Sequence, residues 1–242
     1  MTVALVTGGG SGIGEATARK LAADGAQVAV ADINAEAAAN VADACKGFAI
    51  TVNVADEASV AEMVSNTVAH FGALDCACNI AGIAPDAKPF VDHTVDDWRR
   101  TIDINLSGIF FCMQHELRQM VAQGNGAIVN MASAAGLVPA PGQPQYTAAK
   151  HGVLGLTKQA AQEYAKQGIR VNAVLPGQTE TAPMRAYLDA QPDQGERMLR
   201  RLPMGRMATV DEIAATVAWL CSPAASYVNG VSLVVDGGLL AR

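Results

Sequence analysis

The sequence predicts an α/β fold: a doubly wound, seven-stranded parallel sheet in the order 3-2-1-4-5-6-7, with helices on both faces. Three observations predict it. Short apolar runs alternate with longer amphipathic ones, the rhythm of strands covered on both faces and joined by crossover helices. A glycine-rich turn, residues 7–14, joins the first strand to the first helix. Half of the 242 residues are hydrophobic and only 17% are charged, so the helices themselves need burial on more than one side.

The strands run over 3–7, 27–32, 47–53, 74–79, 127–132, 170–175 and 232–235, each short and apolar. Helices are expected near 12–24, 35–45, 56–71, 94–122, 146–167 and 209–221. Thr94 with Asp97, and Thr209 with Glu212, stand at capping-box spacing, where each side chain can satisfy the other residue's amide. Gly25, Gly72, Gly124 and Gly168 sit where helices should stop. Two stretches break the rhythm. Residues 133–145 hold Pro139, Pro141, Gly142 and Pro144, a stiff loop; residues 176–208 read as an irregular or weakly helical insertion. Long excursions of that kind usually cover a functional site, so 178–208 is expected to close over substrate. With no repeat and no low-complexity linker, residues 1–242 are expected to form one domain.

Composition excludes several classes. A net charge of −6 argues against a nucleic-acid surface. No uninterrupted run of about 18 apolar residues suggests a membrane span, and the chain opens directly on a strand with no basic leader. The five cysteines are odd in number and lie in apolar segments, which reads as buried thiols in a reducing cytoplasm. Cys76 and Cys78 share one face of a strand, but no His or carboxylate stands at ligand spacing, so no metal site is expected. His70, His93, His115 and His151 have no catalytic partner pattern.

Chemistry enters with Tyr146 and Lys150, four apart and so one turn from each other on one helix face. A free tyrosine titrates near ~10, and lowering it by about three units takes roughly 4 kcal/mol of preference for the phenolate. An ammonium about 4 Å away supplies that order of energy at an effective dielectric of about 20. The pair suits proton removal from an alcohol coupled to hydride transfer. The glycine-rich turn, including Gly8, Gly12 and Gly14, supplies the other half. It lets the backbone approach a pyrophosphate, which the helix N-terminus then stabilises. Asp32 closes the second strand, eighteen residues after Gly14. A carboxylate there accepts hydrogen bonds from a ribose and repels a 2′-phosphate. Gly10, Ser11 and Ile33 offer no cation to that phosphate, so the expected cofactor is NAD.

In this order and spacing, Thr7–Gly14, Asp32, Asn79-Ile80-Ala81-Gly82, Asn105, Ser133, Tyr146 with Lys150, Pro176-Gly177 with Thr181, and Asp236-Gly237-Gly238 resemble the short-chain dehydrogenase/reductase family over essentially the whole chain. The resemblance implies a Rossmann-type fold and a catalytic set of Asn105, Ser133, Tyr146 and Lys150. Tyr146 would be the general acid/base. Lys150 would lower its pKa and hold the nicotinamide ribose. Ser133 would hydrogen-bond the substrate oxygen, and Asn105 would anchor a water that relays protons. Gly8, Ser11, Gly12, Ile13, Gly14, Asp32, Ile33, Asn53, Val54, Asn79, Ala81 and Gly82 would line the adenosine and pyrophosphate side. Pro176, Gly177, Thr179 and Thr181 would meet the carboxamide. Three positions depart from the family pattern. Asn53 stands for an aspartate near the adenine amine, Ile80 for a second asparagine, and Thr179 for a Val or Ile.

The leading expectation is an NAD-dependent oxidoreductase interconverting a secondary alcohol and its ketone. Ala135, Gln143, Met184 and Tyr187 are the substrate-pocket candidates, a mostly apolar set without Arg or Lys, which suits a small neutral, cyclic or aromatic alcohol. One alternative is a 3-oxoacyl reductase acting on a carrier protein. Against it stand Asp32 and the uncharged Gln123-Gly124-Asn125-Gly126. Another, of a different class, is a non-catalytic dinucleotide-sensing protein. Two nearly all-apolar helix segments, around Ile109-Phe110-Phe111 and Val153–Leu156, need outer partners, and a homotetramer is the assembly that the resemblance implies.

Overall fold

The computed structural model describes residues 2–241. Within them the strands are β1 (Val3–Thr7), β2 (Gln27–Asp32), β3 (Phe48–Thr51), β4 (Cys76–Asn79), β5 (Gly126–Met131), β6 (Ile169–Pro176) and β7 (Ser232–Val235). All pair in parallel, in the order β3-β2-β1-β4-β5-β6-β7. The order follows the expectation because right-handed crossovers allow few alternatives. Helices α1 (Gly12–Ala23), α2 (Ala35–Cys45), α3 (Glu57–Phe71), α4 (Val95–Ile102), α5 (Gly108–Gln123), α6 (Pro144–Tyr164), α7 (Ala182–Ala190), α8 (Pro192–Leu199) and α9 (Val210–Cys221) connect the strands.

Alternation along the strands divides the core in two. Leu5, Ala77, Ile128 and Val171 face α3, α5 and α6, where they pack with Met63, Ile109 and Val153. Ala4, Val6, Cys78 and Val129 face α1, α2 and α9, packing with Leu21, Val41 and Ile213. Burial of a side chain such as Ile128 contributes about 1.5–3 kcal/mol relative to exposure.

Local chemistry sets most boundaries. Both expected capping boxes form, Thr94 with Asp97 and Thr209 with Glu212. Gly72 and Gly124 end α3 and α5 in the left-handed conformation. At α2 that role falls to Lys46, at φ 53°. The neighbouring Gly47 serves a tighter need: a Cβ there would lie 2.2 Å from the Val28 carbonyl oxygen.

Three expectations are corrected. The single helix over 94–122 is α4 and α5 separated by a π-turn, Asp103–Ser107. The excursion after β6 is not irregular but carries α7 and α8. Its two ends are stitched together: Ala208 N–H donates to Gln178 O at 2.9 Å and Glu180 N–H to Ala208 O at 2.9 Å. The third strand stops at Thr51, because Asn53 leaves the sheet with its side-chain oxygen accepting from Ala55 N–H.

Candidate active site

The C-terminal ends of β1, β2, β4, β5 and β6 converge on one edge of the sheet, where ligands bind in doubly wound folds. At the β1 end, Thr7 Oγ1 accepts from the amides of Ile80 and Ala81 at 3.1 and 3.3 Å, tying the glycine-rich turn to the end of β4. A Cβ on Gly14 would lie 2.0 Å from Gly8 O, whereas one on Gly12 would face open space with Thr181 Cγ2 at 3.7 Å. The turn is closed on itself and open in front. Asn34, Asp56, Thr94 and Thr209 cap α2, α3, α4 and α9 through their side chains, whereas Ser11 makes no side-chain cap at α1, as is also the case at α5, α6, α7 and α8. The first-turn amides of α1 thus remain for an anionic group such as a pyrophosphate.

Asp32 lies half-buried beside this turn. Its Oδ2 accepts from Gly10 N–H at 2.9 Å and its Oδ1 from Asn34 N–H at 3.0 Å, which fixes the carboxylate and leaves lone pairs for ribose hydroxyls. Ile33 beside it is 72% exposed. Val54 is buried under the start of α5, where Gly108 approaches its carbonyl. The Asn79 amide nitrogen points into the core, donating to Glu116 Oε2 at 2.9 Å and Asn130 Oδ1 at 3.1 Å.

The catalytic candidates come together. Ser133, just past β5, accepts from Ala135 N–H at 3.2 Å and stands close enough to the Tyr146 phenol to pull its pKa down. Pro144 starts α6 with a pre-set φ, presenting Tyr146 and Lys150 from its first two turns. Lys150 is buried, and its ammonium donates to Met131 O at 2.8 Å while lying 5.5 Å from the Tyr146 ring centre. Asn105, fully buried in the π-turn, grips the backbone of Ile83 twice: Oδ1 accepts from its N–H at 3.1 Å and Nδ2 donates to its carbonyl at 3.1 Å. Gly82 makes room for this meeting, since a Cβ there would sit 2.7 Å from Asn105 Oδ1 and 3.8 Å from Lys150 Nζ.

Burial pushes the Tyr146 phenol up, and Ser133 beside it pulls it down. Burial also lowers Lys150 to about 8.

Of the substrate candidates, Ala135 is buried beneath Ser133. Gln143 spans the cleft mouth by donating to Pro85 O. Met184 is half-buried on α7, and the Tyr187 hydroxyl is engaged by Gln194 at 2.6 Å. Pro176 ends β6, Gly177 N–H donates to Val235 O, and Thr179 is buried with its hydroxyl on Gly177 O. Sequence reasoning missed the π-turn and a second brace at the cleft mouth, His93 held by Gly142 O and Gln145. Neither has a local sequence signature.

A family model described as enoyl-(acyl carrier protein) reductase matches residues 8–240. The chain is 46% identical over 244 residues to the cis-4-hydroxycyclohexanecarboxylate dehydrogenase of Sinomonas cyclohexanicum, covering 99% of this chain and 96% of that one. It is 43% identical over 245 residues to the cyclohexanol dehydrogenase of an Acinetobacter species, covering 99% and 95%. The crystal structure of levodione reductase superposes with a TM-score of 0.95 at 37% identity, covering 100% of this chain and 98% of that one.

Proposed function

Since the chain belongs to the short-chain dehydrogenase/reductase family of oxidoreductases, we propose that it is an NAD-dependent dehydrogenase interconverting a secondary alcohol on a six-membered carbocycle and its ketone. The observation that carries this reading is the meeting of Ser133 and the buried Lys150 ammonium at Tyr146, with Asn105 alongside. The names of the two dehydrogenases above, each built on a cyclohexane ring, support the substrate class.

The residues present fit a dinucleotide, by the uncapped start of α1 and the open face of Gly12. Gly8, Ser11, Gly12, Ile13 and Gly14 would hold the pyrophosphate, Asp32 and Ile33 the adenosine ribose, and Asn53, Val54, Ala81 and Gly82 the adenine side. Tyr146 and Lys150 would hold the second ribose, with Pro176, Gly177, Thr179 and Thr181 at the carboxamide. A bound NAD would supply the hydride acceptor for oxidation at the carbinol carbon. Tyr146 removes the hydroxyl proton through its phenol oxygen. Ser133 donates to the substrate oxygen as charge develops there. Lys150 balances the phenolate charge and, with Asn105, passes the proton toward solvent. Ala135, Gln143, Met184 and Tyr187 border a mostly apolar substrate space, which suits a compact ring.

In this reading residues 1–242 act as one domain in the cytoplasm, which five free cysteines support. Among the described residues no helix is long and apolar enough to cross a membrane. The protein works as a homotetramer, supported by a groove between α5 and α6 where Phe110, Met113, Leu117, Val121, Leu156 and Tyr164 are flanked by Gln114, Arg118, Gln159 and Glu163.

The test is absorbance-monitored kinetics with cyclohexanol, cyclohexanone and a 3-oxoacyl thioester, each with both nicotinamide cofactors. NADH formation from cyclohexanol is expected. A second reading, reduction of a carrier-bound 3-oxoacyl group, is favoured by the description of the matching family model. Faster NADPH-linked reduction of the thioester would establish it, and NAD binding without turnover of any of them would point to a sensing protein.

A further inference from the structure

Three of the five cysteines meet on the side of the sheet covered by α1, α2 and α9. Cys76 and Cys78 alternate along β4 and so point to the same sheet face. Cys221, the last residue of α9, reaches them from the helix layer, with Cys78 Sγ and Cys221 Sγ 3.5 Å apart. Cys76 and Cys78 are fully buried, whereas Cys221 is partly exposed.

The surroundings of Cys221 are unusual for a helix C-terminus, which by itself opposes a thiolate. Arg170, from β6, offsets that field. Its guanidinium donates to Leu220 O at 2.8 Å and Ser222 O at 3.4 Å, bracketing Cys221 on both sides. The neighbouring Cys76 and Cys78 sulfurs, and to a lesser degree the Arg170 charge, hold the Cys221 thiol below the usual range against the opposing effect of burial. At the other end of the cluster Cys76 is raised chiefly by Cys221 and by burial, with a smaller contribution from Asp75. Among the described residues no set of His, Cys, Asp or Glu side chains is arranged to hold a metal ion, and the guanidinium would repel one. A partly exposed thiol with a stabilised thiolate and a second sulfur alongside is the arrangement of thiols that undergo exchange.

We propose that Cys221 and Cys78 form a thiol–disulfide exchange site that takes a low-molecular-weight disulfide as oxidant. The Cys221 thiolate attacks one sulfur of the reagent, forming a mixed disulfide and expelling one thiolate. Cys78, deprotonated as it reacts, then attacks the Cys221 sulfur and expels the second thiolate, closing the Cys78–Cys221 bond. Two protein thiols are oxidised, one external disulfide is reduced to two thiols, and the two protons pass to the expelled thiolates. The sulfurs need to approach by only about 1.5 Å to reach bonding distance.

The experiment treats the folded protein with oxidised glutathione, blocks remaining thiols in denaturant, and maps peptides by mass spectrometry. The titre should fall by two from the five free thiols, with one cross-linked peptide joining Cys78 to Cys221. Cys221→Ser should abolish that peptide and leave Cys78 unmodified. Thiol loss confined to Cys45 and Cys112, a cross-link that forms only after unfolding, or glutathione on Cys78 in Cys221→Ser would overturn the proposal.

Discussion

Two buried polar clusters lie on the α5–α6 side of the sheet, and they use burial in opposite ways. At the cleft, Asn105 and Lys150 bond backbone groups of Ile83, Thr101 and Met131. That fixes both side chains and leaves the Tyr146 and Ser133 hydroxyls for an external oxygen. Behind it, Glu116, Asn79, Asn130 and Thr157 bond one another. They are shut off from the cleft, with Glu116 Oε1 and Asn79 Oδ1 lacking a partner. Burial lowers Lys150 to about 8 and raises Glu116 to about 8. At neutral pH the first stays charged and the second neutral. Desolvation therefore perturbs both groups, and only access to the cleft separates a reactive cluster from a structural one.

The largest expected effect falls on the open cluster. Tyr146→Phe should reduce kcat by roughly 10² to 10⁴, while NADH binding, followed by fluorescence titration, stays nearly intact. Activity within about tenfold of the parent would remove Tyr146 as the base. Lys150→Ala should move the alkaline limb of the pH–rate profile upward, since the phenolate loses its countercharge.

Cofactor choice comes next. Each hydrogen bond to a charged group is worth about 1.5–3 kcal/mol, so two ribose bonds to Asp32 should favour NADH over NADPH by at least about a hundredfold in kcat/KM. Asp32→Ala with Ile33→Arg should narrow that ratio, mainly by loss of NADH. Comparable wild-type values for the two cofactors would show that Asp32 does not reach the ribose.

The closed cluster should respond in stability rather than in turnover. Glu116 has a folded pKa of about 8 against an ordinary 4.5. Between those values the folded state keeps a proton that the unfolded chain has lost, so this group's contribution to stability falls as pH rises across that window. Glu116→Gln should flatten the decline in urea midpoint from pH 5 to pH 9 with kcat nearly unchanged. A decline as steep as the parent's would mean that Glu116 ionises normally. Lys150 contributes with the opposite slope above about 8, where the unfolded chain holds the extra proton. The smallest effect is dynamic: amides in 182–199 should exchange fast in the free protein and more slowly with NAD. Equal exchange would make α7 and α8 purely structural.

Much of the open cluster was legible because its signals are local. Tyr146 and Lys150 share a helix face through their spacing, Asp32 ends a strand, and the two capping boxes announce helix starts. The closed cluster was not, because it is assembled from four elements with no common spacing. Nothing in the sequence turned Asn79 inward, since that depends on Glu116 and Asn130 arriving from elsewhere. The π-turn that places Asn105 is a local shift in hydrogen-bond phase within an otherwise helical pattern. The thiol cluster needed a contact across 143 residues of chain. The Met131 carbonyl that holds Lys150 is backbone, invisible to any reading of side-chain types.

The stitch between Gln178, Glu180 and Ala208 makes the excursion carrying α7 and α8 a closed loop whose ends are already held together by the fold. For a flexible loop, each doubling in length adds only about 0.6 kcal/mol of closure entropy. This stretch can therefore lengthen, shorten or be exchanged for another while β6, β7 and the cofactor turn keep their places. Evolution, or an engineer, could retune which alcohol is accepted by treating residues 182–207 as a cassette, with the hydride chemistry left untouched beneath it.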